Sequence, residues 1–193
     1  MSTTLNATSP KVVNARVVCR IRPQSLNEKK NGGLSCIDHS NNGIEVYTSL
    51  GQYPFECDHI FDETTTQADL FNYCAKPHVV DALSGINSTI LAFGQTGSGK
   101  TYSIEGDIND SDRIGIVPRT LMALFDAATE QNELIEFNFR ISFIEIYMEK
   151  IKDLLADEKS NTAQSTVKVI GVDIIEKSIF TYEQFMKYWK AGK

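Results

Sequence analysis

Eight consecutive residues, Gly94-Gln95-Thr96-Gly97-Ser98-Gly99-Lys100-Thr101, constrain this chain more than any other feature. They fit G-x-x-x-x-G-K-[ST], a pattern whose glycines let the backbone turn its amides inward onto the oxygens of a phosphate. In that pattern the Lys100 ammonium reaches the β- and γ-phosphates, and the Thr101 hydroxyl completes the shell of a Mg²⁺ ion. At average composition the four fixed positions match by accident in roughly one chain in a hundred of this length. Context lowers that further. Residues 90–93, Ile-Leu-Ala-Phe, supply an apolar run before the loop. Residues from Lys100 onward supply a helix after it, whose N-terminal amides favour an anion. Strand, glycine loop and helix in that order point to a nucleotide-binding α/β unit.

The rest of the chain fits that class. At 193 residues it has the size of one domain. Residues 14–23 alternate around Val17, Cys19 and Ile21 and predict a strand stopped by Pro23. Residues 27–42, with Gly32-Gly33 and Asn41-Asn42-Gly43, read as a loop. Ile44, Val46 and Thr48, a turn at Gly51, then Tyr53, Phe55 and Cys57 predict a hairpin. A helix is expected over 67–84, capped from 62–66, kinked at Pro77 and stopped at Gly85. Pro118 opens another over 118–128, with Leu121, Leu124, Phe125 and Ala128 on one face. Alternation from Ile135 to Phe143 predicts the clearest strand. Tyr147, Ile151, Leu154 and Leu155 predict a short helical stretch, and residues 160–166 a polar loop. Thr181 with Gln184 makes a capping box for a helix ending at Gly192.

Composition excludes more than it assigns. The net charge is −6, with twelve acidic and five basic residues in 61–140. That balance argues against a dedicated nucleic-acid binder. No apolar run approaches the roughly 18 residues of a membrane span. Cys19, Cys36, Cys57 and Cys74 form no close pair, which predicts four reduced cytosolic thiols. His39, His59 and His78 form no ligand cluster. Hydrolysis needs an acidic residue ending a second apolar strand and a group that places water. Asp112-Arg113-Ile114-Gly115 lies in a polar stretch and does not supply it. Residues 169–173 end an apolar run in Asp173, so a P-loop NTPase using Asp173 for magnesium is an open alternative.

Further residues carry a family resemblance. Residues 94–106, GQTGSGKTYSIEG, are close to the kinesin phosphate loop GQTGSGKTYTMEG. Arg20-Ile21-Arg22-Pro23 matches that family's R-x-R-P, and FDETTTQADLF at 61–71 resembles the stretch before its first large helix. Gly115-Ile116-Val117-Pro118-Arg119 matches G-[IL]-[IV]-P-R, and EIYMEKIKDLL at 145–155 matches E-I-Y-x-E-x-I-x-D-L-L. The chain therefore resembles the kinesin motor domain, more the conventional N-terminal-motor kind than others. The resemblance implies an α/β, P-loop NTPase-like kinesin motor fold with a central mixed sheet flanked by helices. Residues 15–193 are then the N-terminal half of a motor domain, after a flexible extension over 1–14. ATP or ADP with Mg²⁺ is the implied ligand, and the microtubule (tubulin) the implied partner. A parent protein dimeric through a coiled coil outside this chain, and a cytoplasmic, cytoskeletal location, are also implied. Neither nucleic acid nor membrane insertion is expected.

Carried over by position, residues Gly94 to Thr101 hold the phosphates, and Thr101 holds Mg²⁺. Arg20 and Pro23 frame the adenine with Tyr102 packing near it, since guanidinium and phenol faces stack on a purine. Without the resemblance Arg20 reads as a solvated strand-end charge. Residues 105–114 become a variable loop containing three Asp. Lys150, Lys152 and Lys159 fall near a hairpin loop that touches the microtubule in kinesins, against the plainer reading of a solvated face. Two family signatures are absent: switch I, N-x-x-S-S-R-S-H, and switch II, D-L-A-G-S-E. No catalytic residue is assigned, and a nucleotide-binding module without turnover stands as the alternative to a motor. In the family's sheet order the strand before the phosphate loop lies between two strands of the other half. Residues 89–93 are therefore expected to be unpaired, and the isolated chain poorly folded.

Overall fold

β1 (Val18–Arg20) is short because only three of its residues find a strand partner, pairing in parallel with β5 (His59–Phe61). The computed structural model describes residues 15–40, 43–130, 135–156 and 174–192. Between β1 and β5 lie α1 (Leu26–Lys30) and an antiparallel sheet of β2 (Ile37–His39), β3 (Gly43–Thr48) and β4 (Gly51–Glu56). Helices α2 (Gln67–Cys74), α3 (Lys76–Leu83), α4 (Lys100–Ile104) and α5 (Ile116–Glu130) follow. The chain then forms β6 (Phe139–Ile141), β7 (Ile144–Tyr147), β8 (Lys150–Asp153), β9 (Lys177–Ile179) and α6 (Tyr182–Ala191). β6 pairs with β9 and β7 with β8, both antiparallel. Among the described residues the strands thus form four small sheets.

Local chemistry explains where these elements differ from the sequence reading. Residues 27–42 are not all loop. Ser25 caps α1 and Glu28 returns the bond to the Ser25 amide, a reciprocal box that holds one turn of helix. β2 forms because Ile37, Asp38 and His39 meet Val46, Glu45 and Ile44 on β3. The helix expected over 67–84 is two helices, parted at Ala75, with Pro77 in the first turn of the second. Pro77 has no amide to offer the carbonyl of Tyr73. Arg16 fills that gap, donating from Nη2 to Tyr73 O at 3.2 Å with its guanidinium 4.8 Å from the Tyr73 ring centroid. The strand expected over 135–143 is paired only at Phe139–Ile141 among the described residues, because β9 offers three partners. The helical stretch expected from Tyr147 to Leu155 is instead the β7–β8 hairpin. Ile146 faces Ile151 across it, and Met148 and Glu149 make the turn with φ of 48° and 61°. The capping box before α6 is half made: Thr181 accepts from the Gln184 amide, but the Gln184 side chain accepts from Phe180 N. The extension 1–14 and the loop 160–166 lie outside the described residues.

α5 joins two apolar clusters. Ile116 packs with Phe61, Leu70 and Ala75. Val117, Leu121 and Phe125 pack against Ile179, Phe185 and Trp189. The second cluster is largely aromatic, with Phe143 stacked on Trp189 at 5.1 Å and Phe125 edge-on to Phe139 at 5.0 Å. Gly192 closes it, since a Cβ there would collide with the Phe143 ring. All four cysteines are unbridged, and burial pushes the Cys19 and Cys74 thiols above their ordinary pKa.

Among the described residues, 89–93 find no strand partner, as expected for a strand with no neighbour. Leu91 and Phe93 are 84% and 95% exposed. Beside Ile90 opens a cleft of about 670 Å³, walled by Val79, Leu121, Leu124, Ile141, Ile179 and Phe185. Exposed apolar surface of this kind binds dyes and promotes association. Replacing Leu91 and Phe93 by Ser is expected to lower anilinonaphthalene-sulfonate fluorescence while shifting stability by less than about 0.5 kcal/mol. Unchanged dye binding would place the sticky surface elsewhere. A second expectation concerns Glu28. Its carboxylate accepts from Arg22 at 2.7 Å and from the Ser25 amide at 2.6 Å, which brings its pKa down from 4.5 to about 2. A lowered folded pKa favours the fold above the ordinary value and is lost as pH falls from 4.5 towards 2. NMR titration should find the Glu28 midpoint near 2 in the wild type, and higher in Arg22→Ala.

Candidate functional site

The glycine loop has the backbone that its sequence demands. Gly94, Gly97 and Gly99 have φ of 151°, 81° and 99°, in the half of conformational space that side chains resist. At Gly94 a Cβ would also stand 2.5 Å from Ser98 Oγ. At Gly97 it would meet nothing within 4 Å, so the loop faces open space there. Gln95 and Thr96 are exposed, and the Ser98 amide closes the turn onto Gln95 O at 3.2 Å.

Lys100 begins α4 directly after Gly99. Its ammonium donates to Gly94 O and Gln95 O, both at 2.8 Å, so the cation arches back over the loop mouth. An ammonium has three protons, and a third remains after those two bonds. Thr101, next in α4, is exposed. A ring of left-handed glycines, an open centre and a cation at the rim fit a polyphosphate. No cluster of three or more His, Cys, Asp or Glu suited to a metal occurs among the described residues.

The other end of α4 meets β1. Arg20 is half-buried, and its Nη1 donates to Gln67 Oε1 at 2.8 Å and to Ser103 Oγ at 2.9 Å. Its Nη2 reaches Thr65 O at 3.4 Å, and its guanidinium lies 5.2 Å from the Tyr102 ring centroid. Burial draws the Arg20 pKa below its ordinary value, with Tyr102 and Cys74 opposing. The group stays cationic. Arg20 is thus fixed within the fold rather than solvated, and it sits beside Tyr102. Pro23, three residues on, is exposed, and its carbonyl accepts from Arg22 Nη1 at 3.1 Å. Arg22 in turn lies along the glycine loop, its Cδ 4.0 Å from where a Gly99 Cβ would be.

Residues 105–115 leave and rejoin the body through a narrow neck. Gly115 N donates to Glu105 O and Asp107 N to Arg113 O, each at 2.9 Å. A Cβ at Gly106 would collide with Arg113 O, and one at Gly115 would stand 2.5 Å from the Glu105 carbonyl carbon. Arg119, in the first turns of α5, staples the loop: Nε donates to Ile114 O at 2.7 Å, and Nη2 to Ser111 O at 3.0 Å and Asp112 O at 3.2 Å. Asp112 is therefore part of this loop and follows no strand.

The basic candidates divide. Lys150 and Lys152 lie on β8, opposite Tyr147 and Glu145, in a hairpin that also exposes Ile146 and Met148. Lys159 and Asp173 lie outside the described residues. Asp153, at the end of β8, anchors the hairpin by accepting from Leu155 N at 2.9 Å and Ile175 N at 2.8 Å.

Two residues of the site were not singled out by sequence reasoning. Gln67 stands one turn before Leu70 on the apolar side of α2, so a polar residue on a buried face was the available signal. Arg119 was visible only as the last letter of a motif, and nothing in its spacing told of three carbonyls converging on it.

With this geometry described, comparison with known proteins places the chain. The family model for the kinesin motor domain matches residues 20–193. Kinesin-related protein 3 of Dictyostelium discoideum is 41% identical over 162 residues, covering 81% of this chain and 14% of that protein. Human kinesin-1 heavy chain is 38% identical over 148 residues, covering 77% of this chain and 15% of that one. Kinesin-like protein 3 of Schizosaccharomyces pombe is 38% identical over 162 residues, covering 83% and 29%. A solved structure of a fast kinesin superposes with a TM-score of 0.82 at 32% identity, over 92% of this chain and 51% of its own. The chain thus spans less than a third of the length of these curated relatives, and about half of the solved motor. It belongs to the kinesin motor-domain family.

Proposed function

We propose that this chain is the ATP-binding part of a microtubule motor, with residues 15–193 forming the first half of the motor domain. The observation that carries the reading is the phosphate loop: three left-handed glycines around an open centre, with Lys100 held at its rim. Residues Gly94 to Lys100 would bind and orient the polyphosphate. Lys100 would exchange its two carbonyl acceptors for phosphate oxygens, a stronger charge-assisted pairing. Thr101 would contribute its hydroxyl to Mg²⁺, whose charge offsets that of the phosphates. Tyr102, Pro23 and Arg20 would frame the base, with Arg20 held in place by its bonds within the fold. The solved relative is a fast kinesin whose structure bears on its ATPase mechanism and its interactions with microtubules, which supports the same reading. A microtubule-bound location in the cytoplasm and a dimeric parent are part of this proposal, with family membership as their support.

Turnover is a separate matter. N-x-x-S-S-R-S-H and D-L-A-G-S-E do not occur in the 193 residues, which favours a second reading in which the chain by itself binds nucleotide without hydrolysing it. Titration calorimetry with MgATP is expected to show binding that Lys100→Ala weakens by roughly a hundredfold, as loss of a cation paired with phosphate would. Equal affinity in both proteins would overturn the phosphate-loop reading. Phosphate release by the chain with microtubules should not rise above background, and steady turnover would refute the binding-only reading. For the filament contact, Lys150→Glu with Lys152→Glu should reduce co-sedimentation with microtubules, most at low salt where exposed charges are least screened. Undiminished co-sedimentation would assign those lysines to an ordinary solvated face.

A further inference from the structure

Gln67 is the most deeply buried polar side chain near the candidate site, 2% exposed, and both ends of its amide are used. Oε1 accepts from Arg20 Nη1 at 2.8 Å. Nε2 donates to Tyr102 O at 2.6 Å and to Arg113 O at 3.2 Å. The Tyr102 carbonyl lies in the last turn of α4, where the Gly106 amide, its regular helical partner, turns instead to Thr101 O, which already accepts from Glu105 N. It is an orphan of the helix end, and Gln67 caps it. One amide therefore fastens β1 through Arg20, α4 through Tyr102 and the neck of the 105–115 loop through Arg113. Glutamine suits this place chemically, because it faces a guanidinium with an acceptor and two carbonyls with donors. Glutamate would turn a carboxylate on the carbonyls, and leucine would take the side-chain cap from Tyr102 O and one bond each from Arg20, which keeps Ser103, and from Arg113 O, which keeps the Asp107 amide.

Of the three hydrogen-bond partners of Gln67, Arg20 and the Tyr102 backbone belong to the end of the site proposed to frame the base, and the third is the neck of the 105–115 loop. None of its bonds reaches residues 94–101. We propose that Gln67 is a positioning residue for nucleobase recognition: it sets Arg20 and the Tyr102 backbone in register, and leaves the phosphate loop to fix itself. This rests on the nucleotide-binding reading above, and it deepens that reading by dividing the site into two independently built halves.

The test compares two probes on the whole chain, MgATP and magnesium tripolyphosphate, which has phosphates but no base. In Gln67→Leu the affinity for MgATP is expected to fall roughly tenfold or more, as loss of a buried bond to a charged group implies. Tripolyphosphate affinity should stay within about twofold. Gln67→Glu, which retains the acceptor for Arg20 and sacrifices the donors, should give an intermediate MgATP loss and serves if the leucine variant does not fold. Equal losses on both probes would make Gln67 a general structural bolt and overturn the proposal. So would unchanged affinity for both. Failure of the underlying reading looks different: wild type would bind neither probe, or Lys100→Ala would leave both affinities untouched.

Discussion

The packing of α5 against two separate apolar clusters is the contact on which the rest of this chain depends. Ile116, in its first turn, belongs with Phe61, Leu70 and Ala75, while Val117, Leu121 and Phe125 turn to the aromatic cluster of Phe185 and Trp189. No strand ladder among the described residues links the β1–β5 pair to the β6–β9 pair. The two are held together by side chains on one helix. Burial is non-directional, so a helix with apolar residues around more than one face serves both clusters without a shared sheet.

Where the apolar surface is thin, directional bonds complete the assembly. α4 has five residues, too few for a helix to persist in water unaided. Its near end is fixed by the turn of the glycine loop, and its far end by Gln67 and Arg20. The 105–115 loop, with little apolar content, is held by Arg119 and by backbone bonds at its neck. Such bonds add modestly to net stability but cost more when one partner is lost. The elements around the candidate site are thus positioned mainly by polar geometry, and those away from it mainly by packing.

This division also explains what the sequence made legible. The glycine loop was readable because its conformation is dictated locally: Gly97 and Gly99 stand where few other residues can. The β3–β4 hairpin and α6 were readable from alternation and from the Thr181 cap. Strands are less local, since a strand is a relation between two segments. Among the described residues, 89–93 carry a strand's composition without a partner, and 135–138 carry perfect alternation outside any ladder. The β7–β8 hairpin was misread because Tyr147, Ile151, Leu154 and Leu155 fall at helical spacing by coincidence, while the turn is made by Met148 and Glu149, neither a usual left-handed residue. Gln67 and Arg119 were hidden for a related reason. Their roles depend on carbonyls that come together only in three dimensions.

The neck at Gly106 and Gly115 has a consequence for how this surface can change over evolution. The chain departs and returns at nearly one point, with Gly106 bridged to Ile114 and Gly115 bonded to Glu105. Residues 108–110 are therefore an excursion whose length the body does not sense, while Ser111 and Asp112 are held by Arg119 of α5. Adding or removing residues there alters little beyond the entropy of closing the loop, which grows only with the logarithm of its length. A lineage can lengthen, shorten or recharge this segment beside the candidate site without re-engineering either α4 or α5. The two glycines make it a place for variation inside an otherwise constrained half of the molecule.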